Sequence, residues 1–69
     1  MIYEAAVRKS LRKNKYMYFL RRNGQTIQVS DACYLSQKSA VSAARRAAYE
    51  AHSRVMLHHL TAPIFRVTP

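Results

Sequence analysis

The sequence predicts a small α+β domain: an antiparallel sheet of three or four strands packed on one face against a single long helix, in the order β-β-β-α-β. Three observations carry that expectation. Residues 15–30 alternate apolar and polar side chains around an Asn23-Gly24 pair, the pattern of a β-hairpin. From Ser36 an alanine-rich stretch runs without Gly or Pro as far as Pro63, the pattern of a helix. Ile64-Phe65-Arg66-Val67 then lies between two prolines and reads as a short edge strand.

The first element is the most ambiguous. Tyr3, Ala5 and Val7 alternate like the inner face of a strand, whereas Tyr3, Val7 and Leu11 also fit helical spacing, with Glu4 and Arg8 as an i,i+4 pair. A lone hairpin is barely stable and a third strand would support it, so a strand over residues 2–9 is preferred. Residues 10–15 read as a basic, exposed connection. In the hairpin, a two-residue type I′ turn at Asn23-Gly24 pairs Arg22 with Gln25, Leu20 with Ile27 and Tyr18 with Val29. That register gathers Tyr16, Tyr18, Leu20, Ile27 and Val29 on a core face, and Met17, Phe19, Arg21, Thr26, Gln28 and Ser30 on the other.

In the helical segment Ser36 is the expected N-cap. Ala40, Ala44, Ala47, Ala51 and Val55 form one stripe with Val41 and Ala48 beside it, and small side chains there let a helix lie close to a sheet. Arg45, Tyr49, His52 and Ser53 fall on the solvent side. With no glycine to end it, the helix runs on to His59, or stops near Ser53 and gives way to a strand over residues 55–60 and a turn at Thr61-Ala62-Pro63.

Sixty-nine residues form one domain, spanning 1–69, that buries only about 60% of its unfolded surface, so its core is thin and alanine-rich. Cys33 is alone, which excludes an intrachain disulfide and a cysteine zinc site; homodimerisation is the simplest supplement to such a core. A hydrophobic content of 49% is too high for a disordered basic tail. No apolar run approaches the roughly 18 residues of a membrane span, and the N-terminus lacks the pattern of a signal peptide. A free thiol without a targeting signal fits a reducing cytoplasm, so a cytoplasmic protein with no membrane partner is expected.

Catalytic chemistry is poorly supplied. The carboxylates Glu4, Asp31 and Glu50 are far apart in sequence. Cys33 reads as a small buried hydrophobe between sheet and helix rather than a nucleophile. His58 and His59 are adjacent and diverge on either a helix or a strand, so with His52 they make a poor metal set. A single glycine leaves no phosphate-cradling loop. No enzyme, metal or cofactor is expected.

The charge is the informative property. A formal net charge of +9 on this length makes nucleic acid the first partner to consider. Seven basic residues, Arg8, Lys9, Arg12, Lys13, Lys15, Arg21 and Arg22, fall between Ala5 and Ser30 with no acidic residue among them, and several alternate with aromatics. Lysine and arginine near phosphates give salt-dependent affinity, and arginine can also clamp a base edge or stack on a base. If Phe19 and Arg21 share an exposed face with Thr26 and Gln28, that face can lie in a groove or stack on single-stranded bases. A second basic group, Lys38, Arg45, Arg46 and Arg54, reads as a solvated helix face, of interest only if continuous with the first.

The hairpin Tyr16-Met17-Tyr18-Phe19-Leu20-Arg21-Arg22-Asn23-Gly24, followed by the helix entry Tyr34-Leu35-Ser36 and the packing positions Ala40, Ala43, Ala47 and Ala48, resembles two families. These are the three-stranded DNA-binding domains of plant ethylene-response factors and the arm-binding domains of phage integrases. The resemblance covers about half the chain; the plant family's Leu-Gly strand signature and strand tryptophan are absent. It implies an exposed sheet face in a DNA major groove, a role that falls on Arg21 and Thr26. The strand and helix order is also similar to that of small phage-encoded inhibitors of host RNA polymerase or CRISPR complexes.

The leading expectation is therefore non-catalytic binding of DNA or RNA through Arg8, Lys9, Arg12, Lys13, Lys15, Phe19, Arg21, Arg22 and Thr26. The alternative is an inhibitor or accessory protein that docks on an acidic host protein surface.

Overall fold

The computed structural model of the chain describes residues 2–55 and 63–68. Strand β1 spans Ile2–Ser10, β2 Lys15–Arg22 and β3 Gln25–Val29; helix α1 spans Gln37–Val55, and strand β4 spans Ile64–Thr68. The four strands form one sheet in the order β3-β2-β1-β4. The element order is the expected one, and residues 2–9 are strand rather than helix. The proposed helical continuation to His59, the alternative strand over residues 55–60 and the start of the turn at Thr61-Ala62 lie outside the described residues.

Tight turns account for the first three strands. Between β1 and β2 the amide of Asn14 donates to the carbonyl of Ser10 at 2.7 Å, and Asn14 takes φ 54°, a left-handed conformation that asparagine tolerates. The basic segment at residues 10–15 is thus a hairpin turn with Ser10 paired to Lys15. Between β2 and β3, Asn23 and Gly24 have φ of 50° and 84°, the two positive values of a type I′ turn.

The register of β3 departs from expectation. Arg22 pairs with Gln25 as predicted and Arg21 with Thr26, but a β-bulge between Leu20 and Arg21 then pairs Leu20 with Gln28 and Phe19 with Val29. Ile27 becomes the extra residue. Because strand faces alternate, the one-residue shift moves Gln28 to the helix side and Val29 to the opposite side. Ile27 and Val29 are exposed, so the predicted core loses both. The shift gives the buried Tyr18 hydroxyl a partner: the Gln28 side-chain amide donates to it at 2.9 Å. Ser30 then finishes the ladder, its amide donating to the Tyr18 carbonyl and its hydroxyl accepting from the Tyr18 amide at 2.8 Å.

The sheet is mixed, not antiparallel throughout. β1 and β2 pair antiparallel, as do β2 and β3, but β4 lies parallel to β1 with Ile2 opposite Ile64 and Ala5 opposite Val67. The helix explains this. Tyr34, just before α1, bridges Tyr16 at the Lys9 end of β1, whereas His52 near the end of α1 meets Tyr3 at the other end. Helix α1 therefore runs against β1 and returns the chain to where β1 began, so the next strand runs the same way as β1.

Ser36 caps α1 as expected: its hydroxyl accepts from the Ser39 amide at 3.1 Å. Ala40, Ala44 and Ala48 are fully buried over a core of Tyr3, Ala5, Tyr18 and Leu20, flanked by Ala43, Ala47, Ala51, Val7, Tyr34 and Phe65. The stripe runs at intervals of four, and the next member is His52. It is buried and packs edge-on against Tyr3 with ring centroids 6.0 Å apart, not facing solvent as its place opposite the predicted stripe suggested. Cys33 is exposed in the connection before the helix, not buried at the sheet-helix junction.

Candidate nucleic-acid interface

Alternation along the strands sends one set of side chains under α1 and the other to the opposite face of the sheet. Among the described residues, no element packs on that opposite face. Cross-strand register arranges it in rows. One row places Thr26, Arg21, Glu4 and Arg66 side by side across all four strands. The next holds Val29, Phe19, Ala6 and Thr68, the next Met17 and Arg8, and the last Lys15 and Ser10. Phe19 and Met17 are half-buried; Arg8, Lys15, Arg21, Thr26 and Arg66 are exposed.

At the centre, the Arg8 guanidinium lies 5.6 Å from the centroid of the Phe19 ring. That distance is within the range of a cation–π contact and shows a planar cation resting over the ring. Glu4 is the sole carboxylate residue on this face among the described residues, and it sits towards the end away from Lys15, next to the row of Ile2 and Ile64. The face is therefore most positive towards the β1–β2 turn, where Arg12 and Lys13 add two exposed charges.

The nine predicted contact residues divide into three groups. Arg8, Lys15, Phe19, Arg21 and Thr26 share the open face. Arg12 and Lys13 extend it at the turn. Lys9 and Arg22 alternate onto the helix side: the Lys9 ammonium lies 5.8 Å from the Tyr16 ring centroid, and Arg22 is opposite Tyr3. The basic residues of hairpin and loop therefore do not form one surface: strand alternation separates Lys9 and Arg22 from the rest. Arg66 was missed, although its place between the apolar Phe65 and Val67 signals an outward direction. What the local pattern lacks is that β4 lies beside β1.

The second basic group is not continuous with this face. Lys38, Arg45, Arg46 and Arg54 are all on α1, across the sheet from it. Arg45 lies 5.4 Å from the Phe65 ring centroid, and Arg54 is 4.0 Å from Glu50 in an exposed i,i+4 pair. Such exposed pairs contribute little.

Titration shifts also fall on the helix side. Burial, reinforced by Tyr34, Glu50 and Cys33, pushes the Tyr18 phenol above its ordinary value. Burial, with the neighbouring Cys33 thiol, does the same for Tyr34. Among the described residues no three His, Cys, Asp or Glu side chains gather as a metal site, and no helix is long and apolar enough to cross a membrane. His58 and His59 lie outside the described residues. The chain matches no protein-family model, no curated protein and no solved structure.

Proposed function

We propose that this protein binds nucleic acid without catalysis, through the open face of its sheet. The observation that carries the reading is the gathering of Arg8, Lys15 and Arg21 around Phe19 on one uncovered surface, with the charged Arg12-Lys13 turn at its most positive end. Phosphates supply the matching charge. Each one neutralised releases counterions, so affinity falls with salt. Phe19 and Thr26 supply what a purely electrostatic patch lacks, a π-face and a hydroxyl beside the arginines.

Fluorescence anisotropy of labelled random-sequence DNA and RNA across a salt series tests this. Binding is expected at low salt, with log affinity falling linearly against log salt. Replacing Arg8, Lys15 and Arg21 together by Gln is expected to lower the slope by about 2 on a single strand and by about 2.7 on duplex DNA, since each contact contributes about 0.7 and about 0.9 respectively. Absence of binding at low salt, or an unchanged slope in the triple variant, overturns the proposal.

A further inference from the structure

We infer that the nucleic acid taken by this face is single-stranded, with a base stacked on Phe19 and the flanking phosphates held by Arg8 and Arg21. The inference rests on the proposed function and narrows it. Its first support is width. Strands lie about 4.8 Å apart, so four of them span about 14 Å between outer axes before side chains are added. The major groove of B-form DNA is about 12 Å wide and admits a helix or a two-stranded ribbon. Phe19 stands in a row that all four strands share, so a groove could reach it only by accepting β3 and β4 as well, whereas the two-stranded end that carries Arg8 and Lys15 would enter a groove without Phe19. Entry of the β2–β3 hairpin alone would leave Arg8 outside.

The second support is the ring itself. Phe19 is half-buried at the middle of the face, with the small Ala6 directly opposite it on β1. The Arg8 guanidinium already lies over the ring, so a flat group has access to it. A nucleobase is such a group, and base–aromatic stacking is tolerant of sequence because every base has a π-face. Arg8, displaced from the ring, is then free to pair with a phosphate or to cover the far side of the base.

The third support is spacing. Arg21 and Phe19 are two residues apart on β2, about 7 Å along the strand, and the row that holds Met17 and Arg8 lies the same distance beyond Phe19. That repeat suits successive phosphates of an extended single strand. From Arg21 to Lys15 the face runs about 20 Å, room for on the order of four nucleotides, at the short end of single-strand site sizes.

The test compares a polypyrimidine single strand with a random-sequence duplex of equal length, using the whole protein. The chain contains no tryptophan, so Phe19→Trp introduces a unique fluorophore at the stacking position. The single strand is expected to bind the unmodified protein more tightly than the duplex, and to quench the emission of Phe19→Trp. Phe19→Leu, which keeps bulk but loses the π-face, is expected to lose about tenfold or more in single-strand affinity with its salt slope unchanged. Tighter binding of the duplex, with no quenching and no effect of Phe19→Leu, overturns the single-strand inference and leaves the basic-face reading standing. Failure of both probes to bind the unmodified protein at low salt overturns both.

Discussion

The two faces of the sheet are made by the same strands and have opposite characters. Under the helix, Tyr3, Ala5, Tyr18 and Leu20 are buried beneath Ala40, Ala44 and Ala48. One residue along each strand, Glu4, Phe19 and Arg21 are on the other face with Arg8, Lys15 and Arg66. The packed core is thus on one side, and Arg8, Lys15, Arg21 and Arg66 lie on the other, which no described element covers, while Lys9, Arg22 and the basic residues of α1 stay on the helix side. In a chain this short, alternation lets stability and recognition occupy the same strands without sharing side chains.

That separation makes the two faces respond to different perturbations. The largest effect belongs to the helix side. Leu20 is fully buried at the centre of the core, and Leu20→Ala is expected to cost about 2–5 kcal/mol, read from chemical denaturation. The affinity of the molecules that remain folded is expected to be unchanged. A parallel loss of affinity in the folded fraction would mean that the open face depends on core packing.

A smaller effect on the same side follows from the tyrosines. Their folded-state values are raised, so both favour the protonated phenol of the folded protein. Their contribution to stability is fully present below about pH 10 and is lost as pH rises through the higher folded values. Ultraviolet titration of tyrosinate alongside circular dichroism is expected to show Tyr18 and Tyr34 ionising late and the helix signal falling with them. Tyr18→Phe, which removes one of the two, is expected to shift that alkaline loss of structure.

Much of this fold is legible in the sequence. The Asn23-Gly24 turn, the Ser36 cap, the alternation in β1 and β2 and an alanine-rich packing face on the helix are local signals that the structure realises, although the buried line runs through Ala40, Ala44 and Ala48 with Ala47 and Ala51 at its side. The misplacements have non-local causes. The bulge that flips Gln28 and Val29 serves a hydrogen bond to Tyr18 ten residues away, which no hairpin rule anticipates. His52 extends the alanine stripe into the core because Tyr3, at the far end of the chain, offers its ring there. Parallel pairing of β4 is set by the direction of the helix before it. The candidate site is legible to the same extent: Arg8, Lys15, Phe19, Arg21 and Thr26 follow from alternation on two hairpins, whereas Arg66 joins the face only through that long-range pairing. Lys9 and Arg22 are the reverse case: the sequence groups them with the other basic residues, and alternation along β1 and β2 places them on the helix side.

Arg21 and Arg22 test the division most directly, because they are neighbours in sequence and carry the same charge on opposite faces. Arg21→Gln and Arg22→Gln change net charge and long-range field almost identically. Salt-dependent anisotropy on single-stranded nucleic acid is expected to show a several-fold loss of affinity and a slope lowered by about 0.7 for Arg21→Gln. Arg22→Gln is expected to leave both close to those of the unmodified protein. Equal losses in the two variants, or a greater loss in Arg22→Gln, would show that the open face is not where the nucleic acid binds.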